Sequence, residues 1–174
     1  MPMPWFNKLA TGSVRVRAYA AQLGKTPGRR PPMEIPIPTT LAAFNAAGAE
    51  YLPGHLGFTF LKVEPDEVIA EVEIRKAVRS WNGYLHAGTV AALADTCCGY
   101  GTVRSLPQGS AGFTTVEFKS NFFGSALEGT VVGIARPLHK GRTTQVWDAT
   151  VSLRGAAKPM AHFRCTQMIL WPKG

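Results

Sequence analysis

Between residues 67 and 75 the chain alternates. Val68, Ala70, Val72 and Ile74 are apolar, and Ile69, Glu71, Glu73 and Arg75 between them are mostly charged. A period of two puts one set on each face, so the run predicts a half-buried β-strand. The run before it, 57–63, is also β-rich, and "EPDE" between the two reads as a hairpin turn. Upstream, "TTLAAFNAAGAEYLP" opens on cap-type threonines and stops at Pro53, which predicts a helix over about 40–51. "VRSWNGY" reads as a loop. Residues 87–104 then carry no proline, many alanines and small residues throughout, which predicts one long, deeply buried helix. Four more β-rich runs follow at 113–122, 128–137, 143–153 and 160–170, separated by Gly124, a turn at Gly141 and "GAAKP".

The predicted order is α, β, β, long α, then four strands. At least four strands in a terminal meander imply an antiparallel sheet. A single apolar helix after the second strand is buried only if the sheet curls around it. The expected class is therefore α+β: about six antiparallel strands wrapped around one central helix, occupying residues 39–174.

Residues 1–38 differ. They are Pro-rich and hold six Lys/Arg against one acid, so they supply +5 of the net charge of +8. Residues 5–23 suit a short basic helix and 24–38 an extended linker. The reading is a basic arm, with a transit peptide as the alternative. The remaining 136 residues carry 13 basic and 10 acidic side chains, only +3, with no aromatic-interleaved basic face, so nucleic acid is not an expected partner. No apolar run reaches membrane-spanning length. Cys97, Cys98 and Cys165 form no Cys-x-x-Cys and no paired framework. That points to buried thiols in a reducing compartment, the cytoplasm.

The chemistry gathers in "NGYLHAGTVAALADTCCGYG", residues 82–101. His86 sits just before the long helix, with Ala87 and Gly88 as its first residues. Helix starts have free N–H groups and a positive dipole end, which suit a polarised carbonyl or an oxyanion. Asp95 is one acid in an apolar segment, and a buried unpaired carboxylate is costly. It must be exposed, paired or working. Nine residues on a helix amount to roughly 13 Å and about 180° of rotation, so His86 and Asp95 of one chain cannot meet. Either they serve different environments, or one subunit's His86 end meets another's Asp95 in a two-fold dimer. A histidine before a helix commonly acts as a cap, and a lone helical aspartate as a structural acid. Spacing alone leaves function open.

The motif "NGYLHAGTVAALADT" resembles the signature of the hotdog-fold acyl-CoA thioesterases of the phenylacetate-pathway type, in which the acid lies nine residues after the histidine. "GFTTVEFKSNFFGSA" and "PLHKGRTTQVWDATV" resemble that family's later strands in order, so the likeness covers about residues 55–170. It implies the hotdog fold and hydrolysis of an acyl- or aryl-CoA thioester. It implies a homodimer or a tetramer built as a dimer of dimers, with sites shared between subunits. Coenzyme A enters as part of the substrate, and neither a metal nor another cofactor is expected.

The resemblance also implies roles. The Ala87 and Gly88 amides would polarise the thioester, His86 would orient it, and Asp95 would act as general base or nucleophile. Thr115 would bind water or product. The family's asparagine normally lies six residues before the histidine, where this chain has Ser80; Asn82, at minus four, is the alternative water-positioning group. Lys140, Gly141 and Arg142 form a basic turn that would meet coenzyme A phosphates. Tyr84, with Phe58, Phe60 and Tyr100, would wall an acyl slot. The rival is a non-catalytic acyl-CoA-binding protein on the same fold, which would need no acid aimed at a thioester. A hydratase is disfavoured by the spacing of histidine and acid.

Overall fold

The computed structural model describes residues 37–172. The arm and linker expected over residues 1–38 fall outside them, apart from Ile37 and Pro38. Thr40 caps α1, Leu41–Gly48, its hydroxyl accepting from Ala43 N at 3.2 Å. The helix predicted over 40–51 breaks there. A second short helix, α2, covers Leu52–Leu56, with Pro53 in its first turn. First-turn amides have no helical partner to lose, so Pro53 opens a helix where the sequence reading had it close one. Gly57 ends α2 at φ 79°, a left-handed position that favours glycine. The first strand consequently starts after it.

The strands are β1 (Thr59–Glu64), β2 (Glu67–Glu73), β3 (Gly112–Phe122), β4 (Thr130–Lys140), β5 (Thr144–Leu153) and β6 (Ala161–Leu170). They form one six-stranded sheet in the order β1-β2-β4-β5-β6-β3, every pair antiparallel. β4 runs past its predicted end at 137 through Lys140. Pro137 lies at a register shift, which is where a strand tolerates proline. The alternation in β2 has the predicted sense: Val68, Ala70, Val72 and Ile74 are buried. On the other face Glu71 pairs with Arg154, and Glu67 with Lys62 and Arg136. Such exposed pairs stabilise little and mainly keep that face wetted.

The long helix α3, Ala87–Arg104, spans about 27 Å. It packs against all six strands, which is the wrapped α+β arrangement the sequence predicted. Small residues permit the approach. A Cβ at Gly101 would lie 2.4 Å from the Trp147 ring, and one at Gly133 of β4 would lie 3.1 Å from Leu93. Trp147 is fully buried and donates from Nε1 to Gln145 Oε1 at 2.9 Å. Gln145 Nε2 donates to Ser105 O at 3.0 Å, so a buried sheet glutamine holds the C-terminal end of α3. No helix of the described residues is long and apolar enough to cross a membrane.

Gly101→Ala tests this contact. Alanine gains about 1 kcal/mol of helix propensity. Its methyl, however, would sit 2.4 Å from a buried indole with no room to retreat, and overpacking costs about 1–3 kcal/mol. The expected outcome is a net loss of stability in urea unfolding. A variant as stable as wild type would show that α3 does not press on the sheet at Gly101.

Candidate active site

A tight turn delivers His86 to the start of α3. Arg79 and Leu85 form a β-bridge, Ser80 N donates to Tyr84 O at 2.8 Å, and Gly83 N donates to Ser80 O at 2.9 Å. Gly83 has φ 90°, which the turn requires. The Asn82 carboxamide oxygen accepts from Tyr84 N at 3.2 Å, so it is engaged in the turn itself, and Tyr84 is exposed beside it. His86 N donates to Val78 O at 3.0 Å, tying both ends of the turn together.

His86 is the N-cap of α3, and its Nδ1 accepts from Gly88 N at 2.8 Å. That changes the donor set expected at the helix start. The Gly88 amide is occupied by the imidazole, whereas Ala87 N has no partner among the described residues. With Nδ1 accepting, the neutral ring carries its proton on Nε2. The donors left for a carbonyl are therefore His86 Nε2–H and Ala87 N–H.

Beside these groups lies a cavity of about 340 Å³. Leu52 and Leu56 of α2 form one wall, Ala77, Val78 and Arg79 another, and His86, Gly88, Thr89 and Ala92 the floor. None of Tyr84, Phe58, Phe60 and Tyr100, expected above as walls of an acyl slot, borders it. Phe58 and Phe60 are core residues; Phe60 stacks on Tyr100 at 4.4 Å, and Tyr100 meets Phe44 at 5.0 Å. The sequence reading missed α2 and Arg79. Both were hidden by the assignments made there, a helix ending at Pro53 and a featureless loop. A second cleft of about 230 Å³, over β3, β5 and β6, contains neither His86 nor Asp95. Its Asp148 is already held by Arg164 at 2.5 and 2.6 Å.

Asp95 does not line the His86 cavity. It lies partly buried in the middle of α3, and its Oδ1 is shut from water without a hydrogen-bond partner. Burial pushes its carboxyl above the usual aspartate value, and the Thr115 hydroxyl beside it pulls the other way. Thr115 Oγ1 donates its one proton to Gln167 Oε1 at 2.9 Å, and Gln167 is fully buried. The sheet thus fixes Thr115 next to the acid and leaves one carboxylate oxygen bare. The neighbouring thiols are inert: burial pushes Cys97 up to about 12 and raises Cys98 well above its ordinary value.

The basic turn lies elsewhere. Lys140, Gln145, Gln167 and Thr115 occupy one row across the sheet, next to Ser105 at the C-terminal end of α3. Lys140 pairs with Asp66, Gly141 N donates to Thr144 O at 2.8 Å, and the Arg142 guanidinium lies 4.7 Å from the Trp171 ring centre. One chain therefore presents two groupings, His86 with its cavity at the N-terminal end of α3, and Asp95 with Thr115 at mid-helix.

Asp95 should be a stability liability. Its folded pKa is raised above the unfolded one, so its neutral form is favoured on folding. That advantage is complete below the ordinary value of 3.8 and is lost as pH rises through the folded pKa. Asp95→Asn, which never ionises, should have a higher unfolding midpoint than wild type at pH 7. The gap should close as pH falls below 3.8. A variant less stable than wild type at pH 7 would identify Asp95 as a structural acid.

The thioesterase superfamily model matches residues 82–158, which contain His86, Asp95 and Thr115. A proofreading thioesterase EntH of Klebsiella pneumoniae is 32% identical over 112 residues, covering 64% of this chain and 81% of that protein. The 1,4-dihydroxy-2-naphthoyl-CoA hydrolase of Escherichia coli K12 is 31% identical over 114 residues, covering 64% of this chain and 82% of that one. Among solved structures, a thioesterase family protein from Silicibacter pomeroyi superposes with TM-score 0.66 at 28% identity, covering 76% of this chain and 100% of the other. A mutant thioesterase from Pseudomonas aeruginosa, 24% identical, superposes with TM-score 0.71 over 76% of this chain and 94% of its own, and so supports the fold. The wrapped sheet, the matched segment and these relatives together make the chain a member of the thioesterase superfamily, with the hotdog fold.

Proposed function

We propose that the protein hydrolyses an acyl-CoA thioester to a carboxylic acid and coenzyme A, in sites each built from two subunits of a homodimer. The observation that carries this reading is the separation just described. The lining of the cavity with the carbonyl donors holds no acid, and Asp95, with its bare oxygen, stands outside that lining. A two-fold axis that sets two α3 helices antiparallel supplies each with the other. Strand β3 supports such an assembly. It pairs on one side only, with β6, and exposes Val116 and Phe118. A long apolar edge of this kind is a template for pairing with another chain.

In the shared site the thioester carbonyl accepts from His86 Nε2–H and Ala87 N–H. The partner subunit's Asp95 takes a proton from water as the water oxygen attacks the carbonyl carbon, or attacks that carbon itself. The tetrahedral oxyanion is held by the same donors, the C–S bond breaks, and the sulfur leaves as thiolate to be protonated; where the carboxylate itself attacks, water then hydrolyses the acyl–Asp95 anhydride, releasing the acid and restoring the carboxylate. Either route requires the ionised carboxylate. Thr115 fixes the carboxyl and Asn82 stiffens the turn. Lys140 and Arg142 remain the groups for coenzyme A phosphates. Lys140 now faces an exposed Asp66, a weak surface pair that a phosphate readily replaces. The unpaired, buried thiols suit the cytoplasm.

A thiol-release assay over a panel of CoA thioesters tests the reading. Asp95→Asn should keep the fold and assembly while kcat falls roughly 100-fold or more, the scale of losing a base or nucleophile. The wild-type rate should decline on acidification through a pKa above 3.8, because burial disfavours the charged carboxylate. Near wild-type hydrolysis by Asp95→Asn would overturn the assignment.

A further inference from the structure

The cavity at His86 contains one polar group that thioester hydrolysis does not use. Of its polar side chains, Thr89 is satisfied, donating from Oγ1 to Val78 O at 3.1 Å. His86 is committed through Nδ1 to Gly88 and through Nε2–H to the carbonyl. Arg79 is different. Its Nη2 donates to Ile74 O at 3.1 Å, and its Nε is shut from water with no partner. No carboxylate among the described residues lies within ion-pair distance of it. The rest of the lining is small or aliphatic, Leu52, Leu56, Ala77, Val78 and Ala92. A guanidinium partly removed from water, on a residue that borders an apolar cavity, is a costly arrangement unless an anion completes it.

We infer that Arg79 receives a carboxylate at the far end of the acyl group, so that the substrate is the CoA thioester of a short dicarboxylic acid. The inference rests on reading the His86 cavity as the acyl site. The planar guanidinium fork matches a carboxylate and is the side chain suited to holding one at an apolar surface. Its position is fixed relative to the reacting carbon. The Arg79–Leu85 bridge and the His86 N to Val78 O hydrogen bond hold Arg79 and His86 on facing arms of one turn, with the cavity between their neighbours. The size agrees. At about 30 Å³ per water-sized group, 340 Å³ holds on the order of ten non-hydrogen atoms, a chain of several carbons with a terminal carboxylate.

Glutaryl-CoA and pentanoyl-CoA have acyl groups of equal carbon number and differ in the distal carboxylate. Their kcat/KM values are compared in wild type, Arg79→Gln and Arg79→Lys. Wild type should favour glutaryl-CoA at least about tenfold, the scale of a charge-assisted hydrogen bond. In Arg79→Gln, which keeps a donor for Ile74 O, the ratio should fall to near one, and Arg79→Lys should retain part of it. A wild-type ratio near or below one overturns the inference, as does a ratio that survives in Arg79→Gln. If Arg79→Gln unfolds, the wild-type ratio and that of Arg79→Lys decide. Hydrolysis of pentanoyl-CoA with no preference for glutaryl-CoA removes the carboxylate site and leaves the thioesterase reading standing. If wild type releases no thiol from either compound, the thioesterase reading is decided by the wider panel of CoA thioesters. Both compounds then persist as ligands, and the same ratio is read as Kd by calorimetry; equal values overturn the carboxylate site as well.

Discussion

The close approach of α3 to the sheet is the constraint on which the rest depends. A helix wrapped by six strands has no solvent face of its own wide enough for ordinary amphipathic patterning. Its side chains must be small where the strands press on it, as at Gly101 against Trp147 and, from the other side, at Gly133 against Leu93. Once the helix is seated so tightly, its ends are no longer free to move. The C-terminal end is held by Gln145 through Ser105 O, and the N-terminal end by the His86 cap and the bond from His86 N to Val78 O. The donors at the helix start are thereby preorganised, which is what makes fixed dipoles effective against a developing oxyanion.

The same seating explains the cost carried by Asp95. A helix lined with alanine, cysteine and glycine offers a carboxylate no cationic neighbour of its own, and no Lys or Arg of the described residues pairs with Asp95. Among the described residues the Thr115 hydroxyl lies beside it, itself tethered to a buried glutamine. A charge placed this way lowers stability and raises reactivity together, because a poorly solvated carboxylate is a stronger base. Arg79 repeats the theme with the opposite sign, a cation partly withdrawn from water at the border of the His86 cavity.

Most of the architecture was legible in the sequence because it rests on periodicity. The alternation of Val68 to Arg75 and the proline-free, small-residue run 87–104 each admit one structural reading, and the order of elements then requires a wrapped helix. What was not legible depended on which of two local rules prevails. Pro53 obeys the rule for helix starts, although position in the run suggested a stop. The second helix it opens supplies Leu52 and Leu56 to the His86 cavity, whereas Phe60 and Tyr100 stack on each other in the core and Tyr84 is exposed. His86 followed its ordinary capping chemistry and also stands at the site; in doing so it takes the Gly88 amide that the resemblance assigned to the oxyanion. Arg79 gave no periodic signal at all, since a loop residue acquires its meaning only from the cavity it borders.

The central claim is that one site draws His86 from one subunit and Asp95 from another, and subunit exchange tests it most directly. Purified His86→Ala and Asp95→Asn proteins, each nearly inactive alone, are mixed and allowed to exchange, with exchange verified by native mass spectrometry. Half of randomly exchanged dimers are mixed, and in each of these one site carries both lesions and the other neither, so hydrolysis should return to roughly a quarter of the wild-type level. Verified exchange with activity no higher than that of the separate variants would contradict the shared site.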